Sequence, residues 1–204
     1  MTEKPQLYVE RRQPGDLGAV FTGGPVGRTI RILQLLNGDG FRDYEHVRVY
    51  LGGGWVLQAE AGGATISRNQ VVKGEVWSTG LFPEWAPVTA TECMALARAK
   101  FEGVPYGWLD YLALTEHRLH VPDLRVWPGY DEHGQPERTG LKEFIGQTRT
   151  QICSQLGDNF ELALGRHLFA DGRWPGDVTP GATANLFIAR ALEDGRAILG
   201  RDYW

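Results

Sequence analysis

Cysteine is nearly missing from this chain. Only Cys93 and Cys153 occur in 204 residues, too few for a disulfide framework. Long apolar runs are absent as well: no window approaches the roughly 20 residues of a membrane-spanning helix, so stable membrane insertion by such a helix is not expected. There is no excess of positive charge. With 21 Lys+Arg against 25 Asp+Glu the net charge is -4, whereas a nucleic-acid binder carries a basic patch or stripe, so nucleic acid is not an expected partner. The first residues, Met1 to Gln6, lack the apolar core of a signal peptide, which leads to the expectation of a cytoplasmic protein. Export by a phage or other non-Sec route is the alternative. Internal repeats and low-complexity tracts are missing too. What remains is a chain with 42% hydrophobic residues, enough to fill the core of one domain spanning residues 1–204.

The pattern along the chain mixes strands and helices. Gly15 to Phe21 reads as a turn leading into a short strand, and Gly27 to Leu36 as a helix stopped by Asn37-Gly38. The strongest strand signal runs from Glu45 to Leu51. A Gly52-Gly53-Gly54 turn and a second strand, Trp55 to Glu60, follow it, with Gly62-Gly63 as the stop. Val71 to Thr79 suggests one or two further strands. Thr89 and Glu92 form a capping box that opens a helix with Ala90, Met94, Ala97 and Phe101 as its buried stripe, ended by Gly103. Pro105 to Leu112 opens another helix. Between about 119 and 147 the pattern dissolves into Pro, Gly and charge, as an insertion or lid would. Ile152, Leu156 and Phe160 then stack on a helix that begins at Cys153. Thr179 as N-cap and Pro180 at the first turn launch a last helix to about Glu193.

Two residues stand out chemically. Cys153 lies at the start of a helix, where the positive end of the macrodipole lowers a thiol's pKa. His46 opens the strongest strand and is a candidate base for that thiol. Side chains alternate along a strand, so His46, Arg48 and Tyr50 share one face, as do Val56, Gln58 and Glu60 on the next strand. If all three glycines form the loop, Tyr50 meets Val56, Arg48 meets Gln58 and His46 meets Glu60. A two-residue loop would set His46 against Ala59 and turn Glu60 to the opposite face. The three-residue loop is common, with glycine supplying the left-handed position, and it is the version under which a histidine–carboxylate pair forms. Cys153 would then be the nucleophile and His46 the general base. Gln58 or Glu60 would orient the imidazole, and the Cys153 N–H would stabilise the oxyanion. Cys93, inside an amphipathic helix, reads as structural.

These residues resemble a family. His46-Val-Arg-Val-Tyr-Leu-Gly52 is similar to the His-Val-Gly-Ile-Tyr-Leu-Gly strand of circularly permuted NlpC-type, papain-like cysteine hydrolases, and Trp55 to Gly63 to their following strand and glycine turn. Gly15-Asp16-Leu17, Gly103-Val104-Pro105-Tyr106, Ile152-Cys153-Ser154-Gln155-Leu156 and Asp177-Val178-Thr179-Pro180-Gly181 resemble further motifs of the family, in the family's order. The resemblance implies an α+β fold in which the nucleophile helix follows the antiparallel sheet in sequence. It also implies hydrolysis or transfer at an amide, thioester or ester, with no cofactor. Two positions depart from the pattern. The family's strand glutamate aligns with Gln58 rather than Glu60, and the glycine after His-Val is Arg48. Arg48 is therefore a candidate for binding an anionic substrate group, or else a solvated cation. Tyr106 is either a hydrogen-bonding residue near the site, as the resemblance implies, or a core tyrosine.

An amide bond in a peptide, such as a peptidoglycan stem peptide, is the first expected substrate. An acyltransferase or lipid or thioester hydrolase on the same fold is one alternative; a binding protein that kept the fold and lost activity is another. A metal site built on His117 and His120, with Asp123 and His133 nearby, lacks a third ligand at a diagnostic spacing, so no metal is expected.

Overall fold

The computed structural model describes residues 12–36, 43–60, 62–72, 74–107, 125–130, 136–140, 151–169 and 178–194. Its centre is a five-stranded antiparallel sheet of order β4-β3-β2-β1-β5. The strands are β1 (Leu17–Val20), β2 (His46–Gly52), β3 (Trp55–Glu60), β4 (Gly63–Arg68) and β5 (Val76–Trp77). Four helices accompany it among the described residues: α1 (Gly24–Leu36), α2 (Ala90–Leu96, continued by a π-turn over Ala97–Phe101), α3 (Cys153–Ala163) and α4 (Pro180–Glu193). The architecture is thus α+β, as expected.

The sheet's hydrophobic face explains the helix positions. Val49, Leu51, Leu57 and Ala59 share one core with Cys153, Leu156 and Phe160 of α3, Phe187 of α4, and Cys93, Ala97 and Phe101 of the α2 segment. By strand alternation His46, Arg48 and Gln58 belong to the other face. Helix α3 runs beside β2 with almost no gap. A Cβ on Gly157 would stand 3.1 Å from Val47 Cγ1 and 3.3 Å from Leu17 Cδ2, so a larger residue would push helix and sheet apart.

Several helix boundaries fall where the caps place them. Thr89 Oγ1 accepts from the Glu92 N–H at 3.2 Å, and the Glu92 carboxylate accepts from the Thr89 N–H at 2.8 Å. Thr179 caps α4 by accepting from the Ala182 N–H at 3.0 Å, with Pro180 in the first turn. The α2 stripe differs from expectation. Cys93, Ala97 and Phe101 are buried, whereas Ala90 is exposed and Met94 partly so. A π-turn, with the Glu102 N–H donating to the Ala97 carbonyl at 2.8 Å, adds a residue and rotates the end of the helix.

Strand β4 was not anticipated. The second strand ends at Glu60 as expected, but Gly63 already pairs with Glu60, and the chain returns directly through Ala64↔Ala59 and Thr65↔Gln58. The Val71 to Thr79 stretch supplies one strand of two residues, β5, paired to Gly18 and Ala19. Helix α1 starts at Gly24, three residues before the expected Gly27. The expected insertion at 119–147 contains an antiparallel hairpin, β6 (Arg125–Tyr130) and β7 (Pro136–Gly140), with a register shift between Val126 and Gly129. Pro128, which has no N–H to give a ladder, falls within that shift. Of the helix expected at Pro105, residues 108–112 lie outside the described residues, while Tyr106 forms a parallel bridge with Gln151.

Candidate active site

The β2–β3 hairpin sets the site. The chain turns on Gly53 and Gly54, both left-handed with φ of 58° and 80°, as a two-residue hairpin turn demands. A bulge between Tyr50 and Gly52 then takes up one residue, since Gly52 pairs with Trp55 while Tyr50 pairs with Val56 and Arg48 with Gln58. A two-residue turn plus a bulge produces the register expected of a three-residue loop. Gln58 therefore keeps the face of His46 and Arg48.

His46 and Gln58 are brought together: His46 Nε2 lies 3.3 Å from Gln58 Oε1. Glu60 does not touch the imidazole in this way. Its Oε1 instead accepts from Gln58 Nε2 at 2.7 Å, and Ser67 Oγ on β4 accepts from the same nitrogen at 3.0 Å. The sequence left Gln58 and Glu60 as alternatives, and the geometry arranges them in series. Burial pulls the His46 pKa down to about 4; the Gln58 hydrogen bond opposes this, and the charge of Arg48 adds to it. His46 is thus a neutral imidazole at neutral pH, able to accept a proton.

Arg48 is buried and engaged. Its Nη2 lies 2.5 Å from Glu75 Oε2, and its guanidinium stands 5.5 Å from the centre of the Trp77 ring. Arg12 reaches the same Glu75 and also stacks on Trp77. Burial and the nearby Arg12 lower Arg48 to about 10, so it keeps its charge. Its carboxylate partner comes from this chain, which leaves the expected role in holding a substrate anion without structural support.

Cys153 is the first residue of α3 and is 1% exposed. One turn later Gly157 lies against Val47, the neighbour of His46. Beyond the end of the helix, Arg166 Nη1 would be 2.7 Å from a Cβ on Gly15, whose N–H donates to the Tyr50 carbonyl at 2.8 Å. Helix α3 therefore runs along β2 with its N-terminus toward the His46 end. The helix start is anchored locally: Gln155 Oε1 accepts from the Ile152 N–H at 3.0 Å, and Ser154 Oγ donates to the Val178 carbonyl at 2.5 Å. Neither cysteine is in a disulfide. Burial, with Glu161 nearby, pushes Cys93 up to about 12.

The motif segments touch one another. Ala64 N–H donates to the Val104 carbonyl at 2.7 Å, and Gln151 N–H to the Pro105 carbonyl at 3.0 Å, so the Gly-Val-Pro-Tyr segment joins β4 to the entry of α3. Tyr106 is half-buried and packs with Ile30 and Ile152. Asp16 accepts from Thr79 Oγ1 at 2.6 Å, and its own carbonyl accepts from the Tyr50 N–H at 2.7 Å.

Sequence reasoning missed four polar residues. Ser67 lies on a strand that was not anticipated. Glu45, fully buried, accepts from the N–H groups of Thr22 and Gly23 and pairs with Arg31 at 2.8 Å, clamping the entry to α1. Glu161 and Arg166 form a buried pair at 3.1 Å. No residue type in these segments announces such pairs, because the partners come from separate elements or from chain beyond the helix end. Among the described residues no group of three His, Cys, Asp or Glu could hold a metal; His117, His120, Asp123 and His133 lie outside them. No described helix is long and apolar enough to cross a membrane. Comparison with family models, with curated proteins and with solved structures found no match for this chain.

Proposed function

We propose that the chain is a cysteine hydrolase of permuted papain-like fold, cleaving an amide bond in a peptide. The observation that carries this is the His46–Gln58 pair on adjacent strands at 3.3 Å, with the Cys153 helix starting toward the same end of β2. His46 is the first residue of β2, so in this reading the thiol meets the ring around the end of the strand.

The chemistry divides into two half-reactions. Neutral His46 takes the Cys153 proton as the sulfur attacks the carbonyl carbon, and the N–H at the start of α3 donates to the oxyanion, worth a few kcal/mol. The imidazolium then protonates the leaving amine as the C–N bond breaks, and water, activated by the same ring, releases the acid and restores the thiol. Gln58 orients the ring. The stem peptide of peptidoglycan is the first substrate class to try.

A small thiol-reactive probe tests the site without a substrate. Cys153 should label far faster than Cys93, whose thiol is held near 12 by burial. The His46→Ala variant should slow Cys153 about tenfold or more, the scale of a lost general base. Equal, slow labelling of both thiols would refute the proposal and favour a binding protein that has kept only the fold.

A further inference from the structure

We propose that Glu60 is a positioning residue that fixes the Gln58 amide and, through it, the tautomer of His46. An amide has two unlike ends: its oxygen only accepts, and its nitrogen only donates. Both hydrogens of Gln58 Nε2 are engaged, one by Glu60 Oε1 at 2.7 Å and one by Ser67 Oγ at 3.0 Å. Ser67 does not decide the orientation, because a hydroxyl can donate to a carbonyl as readily as it accepts from an amine. Glu60 does decide it. Turning the amide over would set a carbonyl against a carboxylate, with no hydrogen between two acceptors.

The consequence reaches the ring. With Gln58 Oε1 facing His46 Nε2 at 3.3 Å, the hydrogen must sit on Nε2, since the oxygen has none to give. In a neutral imidazole the lone pair is then on Nδ1. That nitrogen is the one left to take a proton from Cys153, so a carboxylate two residues away from Gln58 selects which atom of His46 is the base. This builds on His46 as the base of a cysteine hydrolase. The tautomer itself can be read without any activity.

The experiment is long-range 1H–15N correlation on the full chain with 15N-labelled histidine, at about pH 8, above the ordinary imidazole range. His46→Ala assigns the signals. The parent protein should show His46 with hydrogen on Nε2. In Glu60→Lys the ammonium only donates, so the Gln58 carbonyl turns toward it and the amide nitrogen faces the ring, moving the hydrogen to Nδ1. Gln58→Glu supplies an acceptor at either orientation, and it should hold the Nε2–H form with or without Glu60→Lys. Hydrogen on Nδ1 in the parent, or an unchanged tautomer in Glu60→Lys, overturns the assignment. Cys153 labelling in Glu60→Lys should slow about tenfold, at the low end for loss of a positioned base. An inverted tautomer with unchanged labelling would instead remove His46 from catalysis and leave the role of Glu60 standing.

Discussion

Replacing Arg166 by methionine should destabilise the protein by about 3–5 kcal/mol, the scale for breaking a buried ion pair from one side. Glu161 is fully buried, and Arg166 Nη1 lies 3.1 Å from its Oε2. Among the described residues Glu161 Oε1 has no hydrogen-bond partner, so the guanidinium is its principal compensation there. Arg166 also donates to the Ala86 carbonyl and stacks 5.2 Å from the centre of the Trp85 ring, which itself stacks on Phe82. Methionine keeps most of the aliphatic length, and the loss therefore falls on the charge and the hydrogen bonds. Burial holds the Glu161 pKa at about 7 even with Arg166 present; without it the carboxyl should stay protonated through neutral pH. Urea denaturation at about pH 7 reads the effect, and a loss below about 1 kcal/mol would show that the pair carries no such load. Exchanging both residues for leucine should recover much of the loss, because it removes the stranded acid along with its partner.

Two groups, the partly buried His46 and the fully buried Glu161, should pull stability in opposite directions as the pH falls. His46 is depressed from 6.5 to about 4. The unfolded chain takes up this proton first, so the contribution of His46 is complete above about 6.5 and is lost as the pH falls toward 4. Glu161 is raised from 4.5 to about 7. Here the folded protein binds the proton first, so stability is gained as the pH falls from about 7 toward 4.5. Each shift corresponds to something on the order of 3 kcal/mol. The windows overlap, and the two slopes should largely offset one another between about pH 4.5 and 6.5. Single variants separate them. Glu161→Gln should make the protein distinctly acid-labile over that range, whereas His46→Phe should make it more stable near pH 5 than near pH 7. Chemical denaturation of the three proteins at both pH values is the check; parallel profiles for parent and variants would rule out both assignments.

Part of the sheet was legible because β2 alternates in sequence. The apolar Val47, Val49 and Leu51 interleave with His46, Arg48 and Tyr50. The first three are buried and His46 and Tyr50 are partly exposed, while Arg48 breaks the alternation by being buried as well. Caps located α2 and α4 because Thr89 and Thr179 act within three residues of themselves. What depended on distant partners was not legible. Strand β4 was hidden because Gly63 reads locally as a stop, whereas its pairing with Glu60 makes it the first residue of a strand. The choice between Gln58 and Glu60 could not be settled from a shared face. It depended on the diagonal from His46 to the residue opposite Arg48. Arg48 read as a spare cation because Glu75 lies 27 positions away, beyond any local pattern.

The hairpin tip of β2 and β3 has one further consequence. Exposed tips ordinarily accept insertions and deletions, and a run of three glycines looks like the safest place in the chain to lengthen or shorten. Here the bulge at Gly52 and the turn on Gly53-Gly54 together keep count between the two strands. Removing one residue would not merely trim a loop. It would turn β3 over, sending Gln58 toward the apolar helices and Leu57 out beside the imidazole. The tip is a parity device, so its length should be under stronger constraint than its sequence.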